Sequence, residues 1–333
     1  MTAIGARSLE LVCPAGTPGA LRTAIDAGAD AVYCGFRDET NARNFPGLNF
    51  TRDELGTSIS YAHERGAKVL VAINTFARAG AVDPWRQAID DAAALGADAV
   101  ILADLGLLSY AAETHPGLRL HLSVQAAAAS ADSIRFYAKS FGVKRVVLPR
   151  VLSVAEIAAV TRAIPCETET FAFGGLCVMT EGRCSLSSYA TGKSPNMNGV
   201  CSPASHVSYR EDGDSFVSRL GDFTINRAAA DQPVGYPTLC KGRFKTAVKE
   251  GYLFEEPVSL DARRLLPALR DAGVTAIKIE GRQRSRAYIK AVVSAFRASL
   301  DALAAGKNIP VDSLASIAEG QSVTGGAYQK TWR

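Results

Sequence analysis

Eight short runs rich in β-branched and apolar residues recur along the chain, separated by longer stretches of helical pattern, and this alternation limits the fold more than any other feature. The runs are LELVC (9–13), AVYCG (31–35), KVLVAINT (68–75), AVILAD (99–104), RLHLSV (119–124), RVVLPR (145–150), TETFAF (168–173) and AIKIEG (276–281). Strands joined by helices pair in parallel, and strands without strict polar alternation are covered on both faces. Eight such units predict an α/β protein built on a closed (β/α)8 TIM-like barrel, with residues 1–333 as one barrel domain. No Gly-x-Gly-x-x-Gly follows any run, which argues against an open dinucleotide-binding sheet. Thr51 and Glu54 in LNFTRDEL have the spacing of a capping box, so a helix is predicted to open there.

The alternation breaks once. About 100 residues separate the seventh run from the eighth, and four of the seven cysteines fall in that interval as C-x6-C-x16-C-x38-C: Cys177, Cys184, Cys201 and Cys240. The segments VSYRE, SFVSRL and DFTIN predict short antiparallel strands, and Gly174, Gly175, Gly182, Gly199, Pro203 and Pro237 mark loops in which thiols turn toward a common centre. Residues 175–260 therefore read as a cluster-binding subdomain inserted on the barrel face where the strand-to-helix loops emerge. Four thiolates are the complement of a [4Fe–4S] cluster or of a structural zinc. The absence of a close C-x2-4-C knuckle favours the cluster, although spacing alone leaves zinc open. Cys13, Cys34 and Cys166 lie in or beside strand patterns and read as small buried residues.

Composition narrows the class of function. With 47% hydrophobic and 21% charged residues the chain is globular, and a net charge of +4 is too modest for a dedicated nucleic-acid binder. No run of about 18 apolar residues predicts a membrane span, and MTAIGARSLELVCPAG lacks the apolar centre of a secretory signal, so a cytoplasmic location is expected. In a reducing compartment an odd number of cysteines argues for metal or redox chemistry over disulfides. There is no G-x-S-x-G and no H-E-x-x-H, and His63, His115, His121 and His206 read as helix-surface or turn residues. A hydrolytic peptidase has no evident nucleophile or base here.

Polar residues at the ends of the predicted strands are the site candidates, because ligands of such barrels bind at that mouth. They are Asn74, Thr75, Asp104, Ser123, Gln125, Arg150, Glu280 and Arg282, with Asn41 and Arg43 from the loop after the second run. A helix cap or a strand-end hydrogen bond is the plainer role for any single one of them.

The stretch ETFAFGGLCVMTEGRCSLS resembles the signature of the collagenase-like peptidase family, departing at Gly175, where that pattern has Ser or Ala. LVCPAG, GADAVYCG, TNARNFPGLNFT, VAINTFA, SVQA, RVVLPRVLS, GYPTLCKGR, IKIEGRQRS and GAYQKTW extend the resemblance over the chain and place it with the branch that serves ubiquinone biosynthesis. That resemblance implies an oxygen-independent ring hydroxylase, in which this chain acts as a heterodimer with a homologous partner, UbiV. It implies a [4Fe–4S] cluster on Cys177, Cys184, Cys201 and Cys240, prephenate as oxygen donor, and polyprenyl-phenol intermediates brought by a lipid-carrier accessory protein. Chains of the partner type have a C-x3-C pair, which this sequence lacks. On this reading Arg43, Arg150 and Arg282 clamp the donor's carboxylates, Asn41, Asn74 and Gln125 line the substrate site, and Glu280 takes a proton. The competing readings are hydroxylation of tRNA or rRNA bases, as in other branches of the family, and a non-catalytic scaffold that carries the cluster.

Overall fold

The computed structural model describes residues 9–198, 201–229, 231–232, 234–248 and 250–329. Strands β1 (Glu10–Pro14), β2 (Ala31–Cys34), β3 (Lys68–Ile73), β4 (Ala99–Leu102), β5 (Leu120–Leu122), β6 (Arg145–Val147) and β7 (Glu167–Gly175) pair in chain order, all parallel. The ring is closed by an eighth barrel strand, reached only after the insert.

Between the strands run α1 (Pro18–Asp26), α2 (Arg52–His63), α3 (Asp83–Ala94), α4 (Leu105–Thr114), α5 (Ala131–Phe141) and α6 (Val154–Ala163). Their starts are written in the local sequence. Thr51 Oγ1 accepts from the Glu54 amide while the Glu54 carboxylate accepts from the Thr51 amide, the reciprocal box expected, and Ser153 with Glu156 repeats it at α6. At the end of α5, Gly142 adopts φ 68°, the left-handed cap that glycine takes without steric cost.

The insert contains α7 (Leu186–Thr191), α8 (Pro195–Asn198), and an antiparallel sheet of β8 (Val207–Asp212), β9 (Ser215–Leu220) and β10 (Phe223–Ala229). A hairpin of β11 (Arg243–Lys245) and β12 (Glu250–Tyr252) follows. The chain returns through β13 (Ser259–Asp261) and α9 (Leu266–Asp271) to β14 (Ala276–Ile279), which pairs in parallel with both β1 and β7 and closes the eight-stranded barrel. Finally α10 (Arg286–Ala304) packs on α1, and β15 (Val323–Thr324) pairs with β13. Gly199 lies outside the described residues, as does the end of GAYQKTW from Lys330 on.

β7 runs further than TETFAF suggested, because its last residues have a second partner. Gly175, Gly174 and Phe173 pair antiparallel with Ser259, Leu260 and Asp261 of β13, a long-range contact with no trace in local periodicity. The Gly174 backbone, at φ 127°, lies so close to Glu280 that a Cβ there would come within 2.6 Å of the Glu280 Cβ.

The barrel interior divides in two. Val12, Ala31, Tyr33, Leu70, Ala72, Ala99, Ile101 and Ala276 form an apolar half. Facing them, Arg145 joins Glu10 (2.8 Å), Glu167 (2.7 Å) and Glu169 (3.3 Å), and Lys278 joins Glu169 (2.8 Å). His121 stands beside this network, 1% exposed, which corrects its expected place on a helix surface or turn. It is the central residue of β5, and alternation along that strand turns it away from the outer core that holds Leu120 and Leu122. The outer layer, where helices cover the strands, is hydrophobic and continuous, with Trp85, Phe50 and Phe296 fully buried.

Candidate active site

The C-terminal ends of the barrel strands carry charged side chains that hold one another. Arg150, just beyond β6, is buried and lies between two carboxylates, donating to Glu181 of the insert and to Glu280 at 2.7 Å, with its guanidinium 3.4 Å from the centre of the Phe171 ring. Arg43 reaches the other oxygen of Glu280, Oε1, at 3.6 Å. Burial pushes the Glu280 carboxyl upward, but Arg150, Arg43, Lys241 and Arg284 outweigh it and hold Glu280 below the usual carboxylate range. Glu181 goes the other way: burial raises it despite Arg150, and its second oxygen has no hydrogen-bond partner.

Arg282 is different. It is buried, donates to Asn41 Oδ1 at 2.6 Å, and lies 5.6 Å from the centre of the Tyr33 ring. Among the described residues no carboxylate comes within ion-pair distance of it, and burial lowers its guanidinium to about 10. Glu280 acts on this cation from beyond ion-pair distance, so an anion that reached the guanidinium would offset a burial cost that no direct ion pair among the described residues offsets. Asn41 holds the arginine in place, since its amide donates to the Phe36 carbonyl and its oxygen also accepts from the Arg43 amide at 3.0 Å. Gly16 lets the backbone close over this point, because a Cβ there would meet the Arg282 carbonyl oxygen at 1.9 Å.

The remaining candidates divide between the site and the framework. Asn74 accepts from the Ala42 amide at 3.1 Å and fixes the loop that carries Asn41 and Arg43. Gln125 sits in the turn after β5 with its side-chain oxygen buried and unpartnered, while the insert folds over its backbone at Gly182. Asp104 caps α4, Ser123 caps the turn that follows it, and Thr75 accepts from the Trp85 indole at 2.9 Å, so these three take the plainer role. Cys13 and Cys34 are fully buried in β1 and β2.

Cys177, Cys184 and Cys201 are free thiols on loops of the insert, and Cys240 is a free thiol in the 3-10 turn Leu239–Lys241. They share one electrostatic neighbourhood: Cys201 feels Cys184, Cys240 feels both, and Cys177 feels Cys201. Burial, with Glu181 beside it, pushes the Cys177 thiol up to about 12, and burial and Cys201 push Cys240 up to about 11. Arg150, Arg43 and Lys241 act in the opposite sense on Cys177, Cys201 and Cys240 respectively. Among the described residues no three His, Cys, Asp or Glu side chains are drawn together tightly enough for a single metal ion. Cations beside Cys177, Cys201 and Cys240 would favour their thiolate forms, as a metal centre of any kind requires. Four cysteine thiols are a donor set that could hold a [4Fe–4S] cluster or a zinc ion.

Two features were not foreseen from the residues alone. Glu181 sits in the E-G-R-C run between two cysteines, and only the fold brings it to Arg150. Lys241, next to Cys240, pairs with Glu319 at 2.5 Å and so ties the C-terminal segment to the insert.

Comparison with known proteins gives these features a context. A profile of peptidase family U32 matches residues 16–325. The tRNA hydroxylation protein P of Escherichia coli is 32% identical over 317 residues, covering 90% of this chain and 69% of its own length. An uncharacterized protease of Methanocaldococcus jannaschii is 31% identical, with 90% and 66% covered. The 23S rRNA 5-hydroxycytidine synthase of Escherichia coli is 30% identical, with 90% and 40% covered. The chain thus spans about two thirds or less of the length of these relatives. A solved U32 peptidase structure overlaps half of the chain at 18% identity with a TM-score of 0.43.

Proposed function

The chain belongs to peptidase family U32, and from that premise we propose that it is the iron–sulfur subunit of an oxygen-independent hydroxylase acting on phenolic rings in ubiquinone biosynthesis, as UbiU does. One observation carries the reading: a buried arginine with no carboxylate of the described residues within ion-pair distance shares a neighbour, Arg43, with the group of thiols, since Arg43 acts on both Arg282 and Cys201. Support also comes from relatives named as hydroxylation proteins, and from the resemblance to the ubiquinone branch outside the shared signature.

Cys177, Cys184, Cys201 and Cys240 hold the [4Fe–4S] cluster in this account, which when bound supplies one-electron chemistry and a Lewis-acidic iron beside the mouth. The chain's own residues bind and orient. Arg282, fixed by Asn41, takes one carboxylate of prephenate, the oxygen donor, in a bidentate grip. Arg43 receives the second carboxylate at the rim, while Arg150, held between Glu181 and Glu280, stays in place and sets the positions of both acids. The Gln125 oxygen accepts from the donor's hydroxyl. Glu280, kept ionised by its cations, accepts a hydrogen bond from the ring hydroxyl as it forms. A UbiV homologue completes the heterodimer, and a lipid-carrier accessory protein delivers polyprenyl-phenol intermediates in the cytoplasm; no helix among the described residues is long and apolar enough to cross a membrane.

The test is an anaerobic hydroxylation assay with the UbiV-type partner and prephenate. Arg282→Ala is expected to lower turnover by about 100-fold or more, the scale of removing a dedicated charge-stabilising group, and to leave the cluster's visible absorbance intact. Wild-type turnover that does not depend on prephenate would refute the donor assignment. A second reading, hydroxylation of tRNA or rRNA bases, rests on the names of the relatives. It predicts tight, steeply salt-dependent tRNA binding by the purified chain.

A further inference from the structure

Within the apolar half of the barrel interior Tyr33 is the one aromatic side chain, and its companions there are all aliphatic. It does more than fill space. The hydroxyl donates to the Ile279 carbonyl at 2.9 Å, reaching from β2 past β1 to β14, three residues before Arg282. The centre of the ring lies 3.7 Å from the Lys278 ammonium and 5.6 Å from the central carbon of the Arg282 guanidinium. We propose that Tyr33 is a positioning residue for Arg282: with Asn41 it holds the guanidinium so that the Nε–Nη2 edge is the one that grips a carboxylate. The inference rests on the reading above, in which Arg282 takes an anion, and adds which edge does so and what aims it.

Three observations point that way. The first is the count of donors. A guanidinium has five N–H groups, and the one hydrogen bond that the Arg282 side chain makes among the described residues runs from Nη1 to Asn41 Oδ1. The side-on pair, Nε and Nη2, is left whole, and two parallel N–H groups are what a carboxylate takes bidentately.

The second is how the two holders are fixed. Tyr33 belongs to β2, and Gly35 just past the strand makes room for Asn41, because a Cβ there would come within 2.5 Å of the Asn41 Cγ. The Asn41 amide is tied to the Phe36 carbonyl at 3.1 Å. One strand end thus supplies both a hydrogen bond at Nη1 and a ring within cation–π reach of the guanidinium, and together they restrict its rotation more than either does alone.

The third is charge. Lys278 is the other cation at the ring, but it is buried and joined to Glu169 at 2.8 Å, so its charge is met inside the barrel. Arg282 has no such partner among the described residues, which leaves it as the cation at this ring that is open to an incoming anion.

The experiment is a calorimetric titration of the intact, anaerobically purified protein with malonate, a simple dicarboxylate, and with prephenate. Wild type is expected to bind both. Tyr33→Leu, which removes the ring, should weaken malonate about tenfold, while Tyr33→Phe, which keeps it, should stay within about threefold of wild type, both with wild-type metal content. Ile101→Ala, in the same apolar half, is the control for a damaged interior and should bind malonate as wild type does even where its Tm falls. In an Arg282→Lys background no fork remains to be aimed, so adding Tyr33→Leu should cost less than about threefold. The proposal is overturned by a loss in Tyr33→Phe or Ile101→Ala as large as in Tyr33→Leu, by an undiminished loss in the Arg282→Lys background, or by a wild type that binds no malonate. Malonate binding that follows the expected pattern, with no binding of prephenate, would uphold the role of Tyr33 and count against the donor assignment alone.

Discussion

At the scale of the residue, the contrast between Arg150 and Arg282 organises the mouth. Both lie just past the C-terminal end of a barrel strand, and both were candidates for that reason alone, since the loops that leave those ends build the mouth of such a barrel. What separates them is partnership, which depends on contacts remote in sequence: Glu181 and Glu280 reach Arg150 across 31 and 130 residues, and among the described residues no carboxylate comes within ion-pair distance of Arg282. The candidates were therefore legible and their division of labour was not. Arg282→Lys keeps a charge but loses the planar fork, so prephenate affinity should fall by roughly tenfold or more, less than for Arg282→Ala. Equal losses in the two variants, measured by calorimetry, would mean that shape and not charge alone decides the grip. At Glu181, replacement by Gln keeps the hydrogen bond to Arg150 and removes a buried charge, so Tm should hold or rise.

At the scale of the element, the capping boxes and strand runs were readable because their causes are local. Thr51→Ala removes the cap of α2 and should cost about 1 kcal/mol in urea unfolding. The ionic half of the barrel was not readable. Glu10, His121, Arg145, Glu169 and Lys278 come from five strands far apart in the chain, and nothing in the local run around any one of them names its partners. Glu169→Ala strips Lys278 and Arg145 of a fully buried partner and should destabilise by about 3–5 kcal/mol. The network also predicts a pH response. Burial, then Arg145 and Arg119, hold His121 well below the usual imidazole value, so as pH falls below about 6.5 the unfolded chain takes a proton that the folded chain refuses. Stability should therefore fall with falling pH in that window, on the order of 1 kcal/mol per unit, until the folded value is reached. In unfolding curves between pH 7 and 5.5, His121→Gln should have the shallower dependence; matching slopes would show that the imidazole does not remain neutral in the fold. The carboxylates Glu10, Glu167 and Glu169 are held low by their cations, so what they contribute is present above the ordinary carboxylate range and lost as pH drops through their depressed folded values.

At the scale of the whole molecule, one long excursion from a regular barrel supplies what the barrel lacks. The framework brings cations to its mouth, and the insert brings thiols to the same place, fastened by Glu181 to Arg150 and by Lys241 to Glu319. The break in the strand pattern exposed the insert in the sequence, but β13, which pairs with β7, and β15, which pairs with β13, are too short and too distant in the chain to leave a pattern. If the thiols hold a cluster, fold and cofactor are linked, and stability should rise with occupancy. Whether the four thiols form one cluster site is decided by anaerobic purification followed by iron, sulfide and zinc analysis of the wild-type chain and of Cys177→Ala. About four irons and four sulfides per wild-type chain are expected, with a large loss of both in the variant; one zinc per chain with no iron would refute the cluster.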